Sequence, residues 1–285
     1  MDQRIIDLYD EYTHKPLGRH EFLKRLKTLV GSTVGAMAIL PFLENNYAAA
    51  AVTQETGLFT EYKSFPGVPN EMKAYIARPE KQAKYPAIIV IHENRGLNAH
   101  IEDVARRAAA EGYLAIAPNA LSALGKTPAN EDEARAWFQE LKPEDSLQNF
   151  INAFDYVKSR PDCNGNIGCI GFCWGGAMAN RMAVNVPGLE AAIAFYGMQP
   201  EPLDVPKIKA AMQLHYAGLD DRVNAGITAY EAALKQNNVH YEQYIYEGVN
   251  HAFHNDTSPA RYNEAAAKLA WKRSMEFFEK YLLKI

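Results

Sequence analysis

The run Ala87-Ile-Ile-Val-Ile91, five apolar residues between Pro86 and the polar stretch His92-Glu93-Asn94-Arg95, constrains the fold more than any other feature. A strand with one wet face alternates apolar and polar residues. An unbroken apolar run needs cover on both faces, the condition met by strands of a parallel sheet packed between helices. Tyr113–Ala117, Ala191–Tyr196 and Ala211–Tyr216 have the same character, and 166–171 and 241–246 also read as strands. Between them lie segments with helical spacing. Asn98 can cap a helix running to about Glu111, with Ile101, Val104, Ala105 and Ala108 on one face. Further helices are expected over 147–159, 174–186, 225–236 and 260–283, and around 131–140 in the looser stretch 119–145, covering the site. An antiparallel hairpin of 59–63 and 72–78, turning through Pro66–Asn70, opens the series. Such alternation implies a mainly parallel central sheet with helices on both faces. Ligands of such sheets bind beyond the carboxyl ends of the strands.

With 285 residues and 48% hydrophobic content, the chain can bury one large core or two modest ones. Its 34 acidic residues against 30 Lys and Arg give no basic excess, so nucleic acid is not an expected partner. The three cysteines, Cys163, Cys169 and Cys173, are an odd set crowded together, a poor disulfide framework. Cys169 alternates with apolar residues as a buried strand residue would, and Cys163 reads as part of a surface turn. Cys173 has the unusual neighbours.

Residues 1–54 differ from the remainder, 55–285. A polar, aromatic opening leads through Arg19-His20-Glu21-Phe22-Leu23-Lys24 to the apolar run Thr28–Leu43 and the small residues Ala48–Ala51. This is the layout of an export signal, with His20 where a twin-arginine motif needs its second arginine. Phe22, Leu23, Leu26 and Leu29 equally keep the spacing of an amphipathic helix docked on the main domain. A membrane anchor is the third reading, although the run is short for a span and holds Gly31, Gly35 and Pro41. The chain is therefore expected in the cytoplasm, with export to the periplasm as the alternative.

Gly171-Phe172-Cys173-Trp174-Gly175-Gly176 follows a strand and opens a helix. It has the Gly-x-nucleophile-x-Gly form of a nucleophile elbow, with cysteine for serine. The turn is sharp enough to require glycine on each side. The helix starting there favours a thiolate and offers free N–H groups, that of Trp174 among them, to an oxyanion. A structural cysteine in a Gly-rich turn is the plain alternative. The glycines loosely imitate a dinucleotide-binding loop too, but Glu190 precedes its strand instead of ending it.

Asp220, in Gly218-Leu219-Asp220-Asp221-Arg222-Val223, and His251, in Gly248-Val249-Asn250-His251, each follow a strand. The order nucleophile, acid, histidine is that of α/β-hydrolases. His251 would take the thiol proton and Asp220 would fix its tautomer. No metal is expected. His92-Glu93 begins the His-Glu-x-x-His pattern, but Gly96 stands where the second ligand belongs, and His251 with His254 lacks a third ligand nearby.

On the elbow, Asp220, His251 and the segment Ile91-His92-Glu93-Asn94-Arg95-Gly96-Leu97, the chain from about Thr60 onward resembles the dienelactone hydrolases. The resemblance implies an α/β-hydrolase fold, behind an N-terminal helical extension or degenerate export signal. It implies Glu93 as the carboxylate that switches the thiol to thiolate, and the Asn94 N–H as the second oxyanion donor. Cleavage of esters or lactones through a thioester, without a cofactor, follows from it. Members acting on dienelactone itself hold the substrate carboxylate with Arg and Tyr after the fourth strand and an Arg soon after the histidine. Here those places read Pro118-Asn-Ala-Leu-Ser122 and His254-Asn255, with Arg261 the next arginine. Arg95, Trp174 and His254 are the nearest candidates for substrate contact. A generalist carboxylesterase, or a binding protein that keeps the fold without turnover, are the alternatives.

Overall fold

The computed structural model describes residues 1–46, 53–54, 56–125, 128 and 130–283. Ala48–Ala51, singled out above, lie outside them, as does residue 55 at the expected boundary. Eight strands form one mixed sheet: β1 Leu58–Phe65, β2 Met72–Pro79, β3 Tyr85–Ile91, β4 Leu114–Asn119, β5 Cys163–Phe172, β6 Ala191–Phe195, β7 Ala211–Ala217 and β8 Tyr241–Tyr246. Their spatial order is β1-β2-β4-β3-β5-β6-β7-β8. The pairs β1–β2 and β2–β4 are antiparallel, and every pair from β4–β3 to β7–β8 is parallel. This is the α/β-hydrolase architecture expected from the sequence.

The alternation along β3 explains why its run is apolar throughout. Ile89 and Ile91 enter the core on one face, against Phe150, Phe154, Met178 and Leu234 of three helices. Ile88 and Val90 enter the other, against Ile101, Val104, Phe277 and Phe278. The first face is covered by α6 (Pro143–Ser159), α7 (Trp174–Asn185) and α9 (Ile227–Gln236), and the second by α4 (Ala99–Ala110) and α10 (Glu264–Leu282). The Asn98 side chain caps α4 by accepting from Ile101 N–H at 3.1 Å.

Two expectations need correction. Cys163 is no surface residue: it is 6% exposed and begins β5, paired opposite Tyr85. The exposed polar part of that turn is Asn164 and Gly165, which belong to the strand's outer end. Helix α6 starts at Pro143, four residues before the apolar spacing at Leu147, because proline is well suited to a helix's first turn.

The N-terminal residues form three helices, α1 (Gln3–His14), α2 (Arg19–Val30) and α3 (Thr33–Leu43). They share a small core of Leu8, Tyr9, Tyr12, Phe22, Leu26 and Leu43, in which the Tyr12 and Phe22 rings stack at 4.3 Å. Burying one such side chain stabilises the packing by ~1.5–3 kcal/mol. Among the described residues no single helix is long and apolar enough to cross a membrane. Helices α2 and α3 pass together by length and composition but meet at 111°.

Candidate active site

Cys173 stands between β5 and α7 with φ +58° and ψ −112°, a conformation that L residues adopt only where the surroundings enforce it. Two contacts enforce it here. A Cβ on Gly171 would come within 1.9 Å of the Gly175 carbonyl oxygen, and one on Gly175 within 2.3 Å of the Ile91 carbonyl oxygen. With glycine at both places, α7 closes down on β3 and β5, and the cysteine is lifted beyond the sheet's carboxyl edge. It is 7% exposed.

Asp220 follows β7 and caps the one-turn helix α8 (Asp221–Asn224). Its Oδ1 accepts from Val223 N–H at 3.2 Å, and its Oδ2 meets His251 Nδ1 at 2.5 Å. A carboxylate only accepts, so Nδ1 carries the hydrogen and the Nε2 lone pair of neutral His251 is left free. That Nε2 is buried and has no hydrogen-bond partner among the described residues.

The sulfur has a partner that the sequence did not disclose. His14, the last residue of α1, brings Nε2 to 3.1 Å from Cys173 Sγ. Its ring lies edge-on to that of His251 at 4.7 Å, and the donor atoms of His14, Cys173 and His251 fall within 4.8 Å of one another. Helix α1 is tied down around the site. Gln3 donates to Asn250 Oδ1 at 2.6 Å, Tyr12 donates to Asp132 at 2.7 Å, and Asn94 Nδ2 donates to the Thr13 carbonyl at 2.9 Å. Arg135 donates to the Tyr12 carbonyl at 2.9 Å with its guanidinium 4.0 Å above the Tyr12 ring.

Burial by itself would raise the thiol, but the imidazoles of His14 and His251 overcome it and hold Cys173 down at about 6. Burial disfavours the charged form of His251 as well, yet Asp10, the sulfur and Asp220 together raise it to about 10. His14 moves the same way: burial opposes its charge, and the sulfur and Asp10 outweigh that. Asp10, one turn before His14, is held well below the usual carboxylate range, burial being overcome by His251, His14 and Arg261. The site therefore favours a thiolate beside imidazolium.

A cavity of about 280 Å³ opens beside the sulfur, walled by His14, Asn94, Arg135, Phe138, Trp174 and His251. Arg135 and Phe138 come from α5 (Glu131–Phe138), the helix expected around 131–140 to cover the site. Trp174 stacks on His92 at 5.5 Å and meets Phe138 edge-on at 4.7 Å, which fixes the wall.

The remaining candidates are distributed unevenly. Glu93 is buried near the site, but its carboxylate accepts from Asn255 Nδ2 at 2.7 Å and from the Tyr196 hydroxyl at 3.4 Å. Arg95 is buried beside Asn94, to which it donates at 2.8 Å, and lies 3.9 Å from Glu131. It faces a small void behind the sulfur together with Glu93 and Arg261, not the main cavity. His254 lies elsewhere. It stacks on Phe172 at 4.9 Å and lines a larger, separate cavity of about 710 Å³ between α4 and α10. It is absent from the walls of the cavity beside Cys173 because it continues the turn past the sheet edge, toward the opposite layer. The smaller cavity is the candidate site, since it alone of the two contains the sulfur.

Comparison with known proteins agrees with this architecture. The family model described as dienelactone hydrolase family matches residues 72–282. A protein of Saccharolobus solfataricus, provisionally named a carboxymethylenebutenolidase, is 32% identical over 74% of this chain and 94% of its own length. One of Salmonella typhi with the same provisional name is 33% identical over 76% of this chain and 86% of its own. Among solved structures, one from Klebsiella pneumoniae, provisionally called a dienelactone hydrolase, superposes with a TM-score of 0.69. It is 28% identical over 79% of this chain and 99% of its own.

Proposed function

The chain belongs to the dienelactone hydrolase family, and from that premise we propose that it cleaves small carboxylic esters or lactones through a thioester on Cys173. The observation that carries this reading is the convergence of an elbow cysteine, a buried imidazole and a buried carboxylate from three separate strand ends. In the reaction, the Cys173 thiolate attacks the ester carbonyl. The N–H groups of Trp174 and Asn94 receive the oxyanion, each such donor being worth ~3 kcal/mol in sites of this kind. A protonated imidazole beside the sulfur supplies the proton to the leaving alkoxide. His251, oriented by Asp220, then draws a proton from water, the hydroxide attacks the thioester, and the acid leaves as the thiolate is regenerated.

The cavity supports a small substrate with an apolar part against Trp174 and Phe138. The relatives' names point to lactones, and a panel of lactones against acyclic esters distinguishes that preference from general carboxylesterase activity. The anchoring of α1 on the site supports the docked reading of residues 1–54 over the export reading, with the enzyme acting where it is made.

Hydrolysis of short p-nitrophenyl esters tests the assignment. Cys173→Ala is expected to lose turnover and the acylation burst, and Cys173→Ser to keep weak activity, because serine needs a stronger base than a thiol. Undiminished turnover by Cys173→Ala would overturn it.

A further inference from the structure

We propose that His14 is a second catalytic base, the group that takes the Cys173 proton and keeps the sulfur ionised before substrate enters. The inference rests on Cys173 being the nucleophile and concerns how that nucleophile is made ready.

The geometry defines which way the proton runs. His14 Nδ1 faces the Asp10 carbonyl oxygen at 2.9 Å and the Asp10 carboxylate at 3.3 Å. Both only accept, and the Thr13 hydroxyl, 3.0 Å from Nδ1, donates its own hydrogen to the Asp10 carbonyl at 3.0 Å, so neutral His14 carries its hydrogen on Nδ1 and points the Nε2 lone pair at the sulfur 3.1 Å away. The S–H bond breaks with its electron pair remaining on sulfur, and the proton moves to His14 Nε2. Nothing is oxidised or reduced. When the thioester forms, that proton passes to the leaving alkoxide across the cavity His14 shares with the sulfur. His251, whose Nε2 has no hydrogen-bond partner among the described residues, is left for the water step once the thioester has removed the sulfur's charge.

The other groups around the sulfur are placed for different work. Glu93 is engaged by Asn255 and Tyr196, and Arg261 lies 3.8 Å from Asp10. His251 has the right tautomer, but at rest His14 holds the hydrogen-bonding position at the sulfur. Glu93, Tyr196, His251, Asp10, Arg135, Arg222 and Arg261 are titratable or charged groups around this pair, with Arg222 3.8 Å from Asp10 and 3.4 Å from His251 Nδ1. Of these, Asp10 acts through His14, as Asp220 acts through His251. Moreover, His14 lies outside residues 72–282, the part of the chain that matches the family, so the second base comes from the N-terminal helices.

The test is the pH dependence of iodoacetamide alkylation at Cys173, followed by peptide mass spectrometry on the full chain. His14→Gln keeps length and polarity without a base, and His14→Ala removes the side chain. Tyr12→Phe removes the Asp132 hydrogen bond that anchors α1 and leaves His14 in place. Both His14 variants are expected to displace the alkylation profile upward by about one pH unit or more, about a tenfold slower reaction on its acid side. Tyr12→Phe is expected to keep the wild-type profile. An unmoved profile in His14→Gln and His14→Ala overturns the proposal, and so does an equal displacement in Tyr12→Phe. This failure is separable from that of the hydrolase reading, which is decided by ester turnover in Cys173→Ala.

Discussion

His251 presents Nδ1 to the Asp220 carboxylate at 2.5 Å, with both side chains buried. The carboxylate decides which imidazole nitrogen holds the hydrogen. An asparagine at 220 can turn its NH2 toward Nδ1, which moves the hydrogen to Nε2 and removes the lone pair facing the sulfur.

Asp220→Asn is therefore expected to lower kcat on p-nitrophenyl esters by a factor on the order of 10³–10⁴ while the fold is retained. Steady-state kinetics with circular dichroism check this. A loss below tenfold would show that His251 does not depend on its carboxylate.

Stability should fall on mild acidification, before the carboxylates titrate. Burial holds His92 down at about 4 and His215 at about 3, against 6.5 in the unfolded chain. Between pH 6.5 and 4 the unfolded state binds protons that the folded state refuses, so stability drops as pH falls. For His92 alone the loss is on the order of 3 kcal/mol. His14 and His251 are raised instead, so below pH 6 they are protonated in both states and add no slope. Urea midpoints at pH 6, 5.2 and 4.5 should decrease in that order at constant m-value. A flat series would contradict the buried neutral histidines.

Gly171→Ala should damage the elbow before it damages anything else. The added methyl meets the backbone oxygen of Gly175 at 1.9 Å, and backbone cannot swing aside as a side chain can. We expect a cost of about 3 kcal/mol or more, at or above the top of the range for overpacking, together with loss of the acylation burst. Thermal melting and a burst assay measure the two effects. Wild-type values in both would show that the turn has room for a side chain.

The sheet was legible because burial on two faces leaves a local mark: Ala87–Ile91 had to be apolar throughout for Ile89 and Ile88 to enter opposite cores. The elbow was legible for a similar reason, since a turn without space for Cβ atoms writes glycines beside the cysteine. His14 was not. Its role depends on a helix packing across the chain by 159 residues, and the pattern around it concerns how α1 and α2 pack together. The one local hint was Asp10, an acid one turn before a histidine on the same helix face. The place of His254 was not legible either, because proximity in sequence to His251 says nothing about which side of a sharp turn a ring occupies.

Since His14 precedes the alanine-rich stretch 48–51 in the chain, the roof of the cavity lies within what an export peptidase cutting there would discard. A trimmed product would keep its cysteine, histidine and aspartate but be left with an uncovered sulfur and one imidazole in place of two. Removing the first fifty residues to tidy a recombinant preparation would do the same.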